Sequence, residues 1–274
     1  MDILQANQLV HSKLIASGDY LKSPHLFPEN KSRVRKLILN LINLCPARQK
    51  LIDFGCGTGF MLELTNDLFS ELYGVDITQD MLDLVDTSCG NIILVDSVAE
   101  DTPFDADSFD FATAYSFMDH LADYRAFLRE AYRILKNGGI FYSDLNPNRE
   151  FITSLETLSA KYSSQDLNAL LLKEINGALR NGEFYQNNFA IDADILDLAE
   201  PGKSVNKGFD AREVVEAAYE IGFSDVKVEH HWFLGQAKVQ NTSQEAAECI
   251  ESFLHSLMPH TSNLFKYHRY ILKK

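Results

Sequence analysis

The sequence predicts an α/β protein built on one doubly wound, mainly parallel seven-stranded sheet. Helices cover both faces, with an N-terminal helical segment and an inserted cap. Three observations predict this. Apolar runs of strand length alternate with helical patterns between residues 48 and 145, the spacing of βαβ units. A glycine-rich turn within LIDFGCGTGF (51–60) joins the first strand to a helix. Two later strand-like segments, 224–234 and 265–274, complete the sheet.

Residues 3–16 place Ile3, Leu4, Leu9, Val10, Leu14 and Ile15 on a roughly helical face. A Gly and two prolines in 17–30 interrupt helix, and Tyr20, His25 and Phe27 there are candidates for a lid. A second helix fits 31–44 and stops before Pro46. The first strand then runs into the glycine turn. Strands follow at 72–77, 91–96, 109–117 and 139–145, with helix at TQDMLDLVDT, capped by Thr78, and at 122–136. Residues 146–208 break the rhythm with helical segments at 149–160 and 165–180, then a stretch of partly period-two character. The segment is too short for a large core of its own, so it reads as a cap. Helix 209–223, strand 224–234, helix 242–258 and a last strand finish one domain, 1–274. Its parts are 1–47 (N-terminal helices), 48–145 (cofactor-binding core), 146–208 (cap) and 209–274 (completion of the sheet).

Composition narrows the function. The 274 residues carry a formal net charge of -14, a field that repels nucleic acid. Cys45, Cys56, Cys89 and Cys249 form no C-x-x-C and no zinc-type spacing; reduced thiols in a cytoplasmic protein and no metal are expected. No apolar run has the length of a membrane span, and the N-terminus lacks the pattern of a signal peptide.

The glycine turn asks for a nucleotide-type ligand at the carboxyl end of the sheet. In a dinucleotide loop the third glycine lets helix pack on strand, and here Phe60 occupies that position. A phosphate-cradling Walker loop needs a Lys that is absent. Asp53, ending the strand, repels pyrophosphate and suits a ligand bearing positive charge.

S-adenosylmethionine is such a ligand, and the sequence resembles the class I S-adenosylmethionine-dependent methyltransferases, especially the small-molecule group. The resemblance covers roughly 48–145 through DFGCGTGF, GVDIT, the run VDSVAEDTPFDADSFDFA, and FLREAYRILKNGGIFY. It implies that Gly55, Cys56 and Gly57 line the methionine portion and Asp53 sits near its ammonium. Asp76 would accept from the ribose hydroxyls, Ile77 and Met81 flank the adenine, and Asp96 take the adenine amino group. Ser97 and Val98 would present backbone, and Tyr115 border the substrate side.

Methyl transfer from an activated sulfonium requires mainly alignment, so no obligatory triad is sought. His120, and Asp144 near the end of strand five, are weak candidates for acid–base work. Asn146 is expected at the same mouth, whereas His230 and His231 face opposite ways along a strand and read as structural. The cap aromatics Phe151, Tyr162, Phe184, Tyr185 and Phe189 could enclose a small, partly apolar acceptor. A scaffold protein without activity, a protein methyltransferase and a nicotinamide dehydrogenase remain alternatives.

Overall fold

A computed structural model describes residues 1–18, 20, 26–163, 165–179 and 181–274; His25 lies outside them. Helix α1 (Ile3–Ser17) opens with a capping box, in which Asp2 accepts from Gln5 N–H while the Gln5 side chain accepts from Asp2 N–H. Helix α2 (Pro28–Ile42) follows, and the central alternation begins with β1 (Lys50–Phe54) and α3 (Phe60–Thr65). It continues through β2 (Glu71–Asp76), α4 (Gln79–Leu82), β3 (Ile92–Asp96), β4 (Phe109–Tyr115), α5 (Tyr124–Ile134) and β5 (Leu135–Pro147).

The cap contains α6 (Arg149–Lys161), α7 (Ala169–Leu179), α8 (Asn181–Phe189), α9 (Ala193–Ala199) and α10 (Pro201–Ser204). The stretch with partly period-two character is therefore helical: Ile191, Leu196 and Ala199 bury against α1 and not against a sheet, with Tyr185 and Phe189 of α8 partly buried beside them. Next come α11 (Ala211–Ile221), β6 (Asp225–Phe233), α12 (Gln236–Gln240), α13 (Gln244–Ser256) and β7 (Phe265–Lys273).

The seven strands run in the order β3-β2-β1-β4-β5-β7-β6. The pairs among β1 to β5 are parallel, and β7 lies antiparallel between β5 and β6. Side-chain alternation in the central strands explains why both faces are covered. Leu51, Phe111, Ile140 and Tyr142 enter one core with Val34 and Ile38 of α2. Ile52, Ala112 and Phe141 enter the other with Phe127, Leu128 and Ala131 of α5. The chain reverses its direction of winding between β1 and β4, so a crevice opens beyond their carboxyl ends.

A separate apolar cluster joins Ala6, Val10 and Leu14 of α1 to Ile191, Leu196 and Ala199 of the cap. Polar ties also hold α1 over the crevice. Gln8 Nε2 donates to Ile77 O at 2.6 Å, and Lys13 Nζ donates to Ala190 O at 2.8 Å. No helix among the described residues is long and apolar enough to cross a membrane.

Candidate functional site

The crevice closes into a cavity of about 680 Å³, within the usual range for small-ligand sites. At one end lies the glycine turn. Gly55 (φ 62°) and Gly57 (φ 52°) both occupy the left-handed region, where a side chain adds strain. Asp76, at the end of β2, faces this turn: Oδ2 accepts from Gly57 N–H and Oδ1 from Thr78 N–H, each at 2.9 Å. Both oxygens keep lone pairs for a ligand's hydroxyls, and the two backbone donors fix their direction.

Asp53 is buried behind the turn, with Oδ1 accepting from Thr113 Oγ1 at 2.7 Å. Burial pushes its carboxyl up to about 8, reinforced by the nearby Asp76 and opposed by the Thr113 hydrogen bond. The Cys56 thiol is likewise pushed up, by burial and by the same two carboxylates, which leaves it an unreactive packing group. Phe60 lies against Tyr115 with ring centroids 4.7 Å apart, filling the position where a dinucleotide loop needs glycine. Asn30 Nδ2 donates to the Tyr115 hydroxyl at 3.0 Å.

Asp53, Gly55, Cys56, Gly57, Asp76, Ile77, Met81, Ser97, Val98 and Tyr115 all line this one cavity. Asp96 does not. It is exposed at the tip of β3, the outermost strand on that side of the sheet, and the cavity wall starts one residue later at Ser97. The expected contact of its side chain with the ligand is thus not supported by the geometry.

The other end of the cavity was largely hidden from sequence reasoning. His120 lies in a 3-10 turn (Met118–His120) after β4. Its Nδ1 is 2.8 Å from Asn7 Oδ1 and 3.2 Å from Ala199 O. The Asn7 amide nitrogen donates to Ile3 O and His120 O, so its oxygen is the acceptor. Two acceptors at Nδ1 assign a proton there. The His11 ring from α1 lies 5.2 Å away, centroid to centroid. Burial, with His120 beside it, lowers His11 to about 3, so it is neutral.

From the cap, Lys203 reaches the same wall. Its Nζ lies 2.7 Å from Asp119 Oδ2 and 3.0 Å from Glu200 Oε2. Asp119, His120 and Glu200 offer metal-type ligand atoms within 4.8 Å of one another, and the Lys203 ammonium pairs with both carboxylates, one positive charge against two negative. The aromatics Phe184, Tyr185 and Phe189 pack edge-on against one another, centroids 5.3–5.9 Å apart, and line the same cavity.

Other expectations are corrected. Asp144 and Asn146 do not face the mouth, because β5 continues to Pro147 and carries both inside the sheet. Asp144 is 0% exposed and pairs with Arg269 and His231, so it has no access to an acceptor. Phe151 is buried in a cluster with Ile152, Leu155 and Ile175, Tyr162 is exposed, and neither lines the cavity. Tyr20 lines it; Phe27 is exposed as the N-cap of α2.

A parallel sheet extended by an antiparallel strand pair, with a glycine turn and Asp76 at its carboxyl edge, is the Rossmann-like methyltransferase fold. A crystal structure of an S-adenosylmethionine-dependent methyltransferase from Archaeoglobus fulgidus superposes with a TM-score of 0.54 at 21% identity, over 89% of this chain and 94% of that one. Residues 52–143 match the family described as "Methyltransferase domain".

Among curated relatives, an uncharacterized methyltransferase of Bacillus subtilis, YcgJ, is 31% identical over 102 residues, 35% of this chain and 40% of that protein. A ubiquinone biosynthesis O-methyltransferase of Idiomarina loihiensis is 30% identical over 112 residues, 36% of this chain and 44% of that protein. The match therefore spans less than half the length of these relatives. A phosphoethanolamine N-methyltransferase of Haemonchus contortus, crystallised with S-adenosyl-L-methionine, shares the fold at a TM-score of 0.51 and 14% identity, over 93% of this chain and 59% of that one.

Proposed function

We propose that the chain is an S-adenosylmethionine-dependent methyltransferase acting on a small-molecule acceptor. The observation that carries this reading is a single cavity with two chemically different ends. The glycine turn, Asp53 and Asp76 form one, and His120, Lys203 and the cap aromatics form the other.

The first end fits the cofactor. Asp76 holds lone pairs toward the cavity for a ribose diol, a charge-assisted contact. The wall also carries Glu100 and Glu200, with Asp53 ready to ionise beside a cation, and Lys203 is the one lysine or arginine among its described residues. That balance favours a cationic ligand over a pyrophosphate, and with Phe60 it disfavours a nicotinamide dinucleotide. The methionine sulfonium supplies an already activated methyl group when bound. The chain's own task is to seat the acceptor in line with it, to exclude water with α1 and α8, and to take a proton where the acceptor carries one. His120, which lines the cavity, is the candidate for that last role. The enclosure by α1 and the Phe184–Phe189 aromatics supports a small acceptor over a protein surface.

Calorimetric titration tests the reading. The wild type is expected to bind S-adenosylmethionine and S-adenosylhomocysteine in the micromolar range, and Asp76→Ala to weaken both by about tenfold or more. A chain that binds neither would instead be a scaffold, and one that binds only NADH a dehydrogenase.

Asp53 adds a pH signature. Its carboxyl ionises only near 8 in the free protein, and a neighbouring ammonium favours the carboxylate, lowering that value. Binding at about pH 6–7 should therefore release up to about one proton, and affinity should rise with pH and level off above about 8. Titration in buffers of different ionisation enthalpy measures the release. Asp53→Asn should abolish it; an unchanged proton count would place the titrating group elsewhere.

A further inference from the structure

The cavity carries more negative charge than the cofactor can offset. Asp76, Glu100 and Glu200 line it, against the single ammonium of Lys203 among its described residues. Lys203 is already engaged: its Nζ lies 2.7 Å from Asp119 Oδ2 and 3.0 Å from Glu200 Oε2. Burial would lower its pKa, but Asp119 and Glu200 outweigh burial and hold it well above the ordinary lysine value. The second oxygens of both carboxylates stay open. Asp119 Oδ1 is buried without a hydrogen-bond partner, and Glu200 meets Lys203 through Oε2, with no hydrogen bond to Oε1 among the described residues. Burial, with Asp123 nearby, pushes the Glu100 carboxyl upward, and a cation beside it would favour its charged form. The four carboxylates Asp76, Glu100, Glu200 and Asp119, less the Lys203 ammonium, leave three negative charges. S-adenosylmethionine has an ammonium, a sulfonium and a carboxylate, so it cancels one of them. A site of this sign disfavours an anion and is completed by a cation. Lys203 disfavours a bare divalent ion at Asp119 and Glu200, whose charge would lie against its own. The cap adds a second observation. Phe184, Tyr185 and Phe189 line the same cavity with their rings inclined 62–74° to one another, and aromatic rings grouped around a cavity hold ammonium groups against their negative faces.

Resting on the methyltransferase reading above, we propose that the acceptor carries an ammonium group on an apolar body, and that Glu200 is the residue that selects its charge. The ammonium donates to Glu200 Oε1, the oxygen that Lys203 leaves open, in a charge-assisted hydrogen bond. Lys203 is a positioning residue: by holding Glu200 Oε2 beside Asp119 it fixes the direction of the open oxygen. Glu100 adds to the field, and the cap aromatics pack against the apolar body. An ammonium has no lone pair, so it anchors the acceptor while another atom takes the methyl group, and the second positive charge stays away from the sulfonium. A hydroxyl in place of the ammonium makes an uncharged, weaker bond. A carboxylate there meets like charge.

The probe is 2-phenylethylamine, an ammonium at neutral pH, with isosteric 2-phenylethanol as its neutral counterpart and phenylacetate as the anion. Each is titrated by calorimetry into protein saturated with S-adenosylhomocysteine. The ammonium is expected to bind at least about tenfold more tightly than the alcohol, and phenylacetate more weakly than either. Glu200→Gln keeps the Lys203–Asp119 pair and should remove most of that preference. Its affinities for 2-phenylethanol and S-adenosylhomocysteine should hold within about twofold, which also reports that the variant is folded. Glu100→Gln is the second arm, and should weaken binding of the ammonium and not of the alcohol. Equal binding of amine and alcohol, binding of none of the three probes, or an undiminished preference in Glu200→Gln would each overturn the proposal. Should that variant not fold, the wild-type ranking and Glu100→Gln decide. Absence of S-adenosylhomocysteine binding in the wild type would instead overturn the methyltransferase reading on which it rests.

Discussion

Gly55→Ala is expected to destabilise the protein by about 2–5 kcal/mol and to weaken S-adenosylmethionine binding at least about a hundredfold. Two costs add. Gly55 sits at φ 62°, a left-handed backbone that costs a non-glycine residue about 1–3 kcal/mol. An added Cβ would also lie 2.0 Å from Phe117 Cδ2 and 2.6 Å from Cγ and Cε2. That ring cannot easily yield, because it packs edge-on against Phe127 at 5.5 Å and Phe127 is wholly buried in the core. Either Phe117 leaves its place or the turn opens, and both deform the wall that faces Asp76. Gly90→Ala is the control: its φ is 79°, but nothing lies within 4 Å of the added carbon. Urea unfolding of both variants separates strain from collision. Equal losses would show that the Phe117 contact contributes nothing.

Arg269→Met is expected to cost about 3–5 kcal/mol, the usual consequence of removing one partner from a buried ion pair. Arg269 donates to Asp144 Oδ2 through Nε at 3.0 Å and Nη2 at 2.9 Å, and to Glu229 through Nη1 at 2.9 Å. The Tyr142 hydroxyl donates to the same Asp144 oxygen at 2.5 Å. His231 Nε2 approaches Oδ1 to 2.6 Å, but without the angles of a hydrogen bond. Burial would raise the Asp144 pKa; His231 and Arg269 outweigh it and hold the carboxyl far below the usual range. This contribution is complete above the unfolded value of about 4 and is lost as pH falls toward the folded one. Without Arg269 the carboxylate keeps its burial and loses its main fixed cation. The double variant Asp144→Asn, Arg269→Met should recover part of the loss, and thermal or urea unfolding measures it. A double variant less stable than Arg269→Met would contradict this account.

This network explains one misplaced expectation. Strand five reads from sequence as ending near Asp144, which would leave its side chain at the ligand edge. In the fold, one extra residue is accommodated in β5 between Ser143 and Asn146 relative to β7, with Leu145 at φ 59°. Such a bulge re-aims the chain, and Asp144 meets an arginine 125 positions away. Asp96 was misplaced for a related reason. A residue that ends a strand is visible in the sequence, but whether its strand is central or outermost depends on the order of the whole sheet.

What the sequence determined by itself is the end of the cavity at the glycine turn. The glycine turn, the carboxylates Asp53 and Asp76, and the residues after β2 and β3 depend on short spacings, because a strand, a tight turn and the following segment are local events. Periodicity likewise revealed α1 as an apolar-faced helix. Only the tertiary structure decided what that face covers: residues 191–199 of the cap, with the cavity beneath. It also decided the opposite end, where Asn7, His11, His120, Glu200, Lys203 and Tyr267 line the same cavity. These positions lie as far as 260 residues apart in the chain, so no local pattern records their meeting. The packing of α1 and the cap over the sheet edge makes them neighbours, and it brings Lys203 of the cap onto Asp119 after β4.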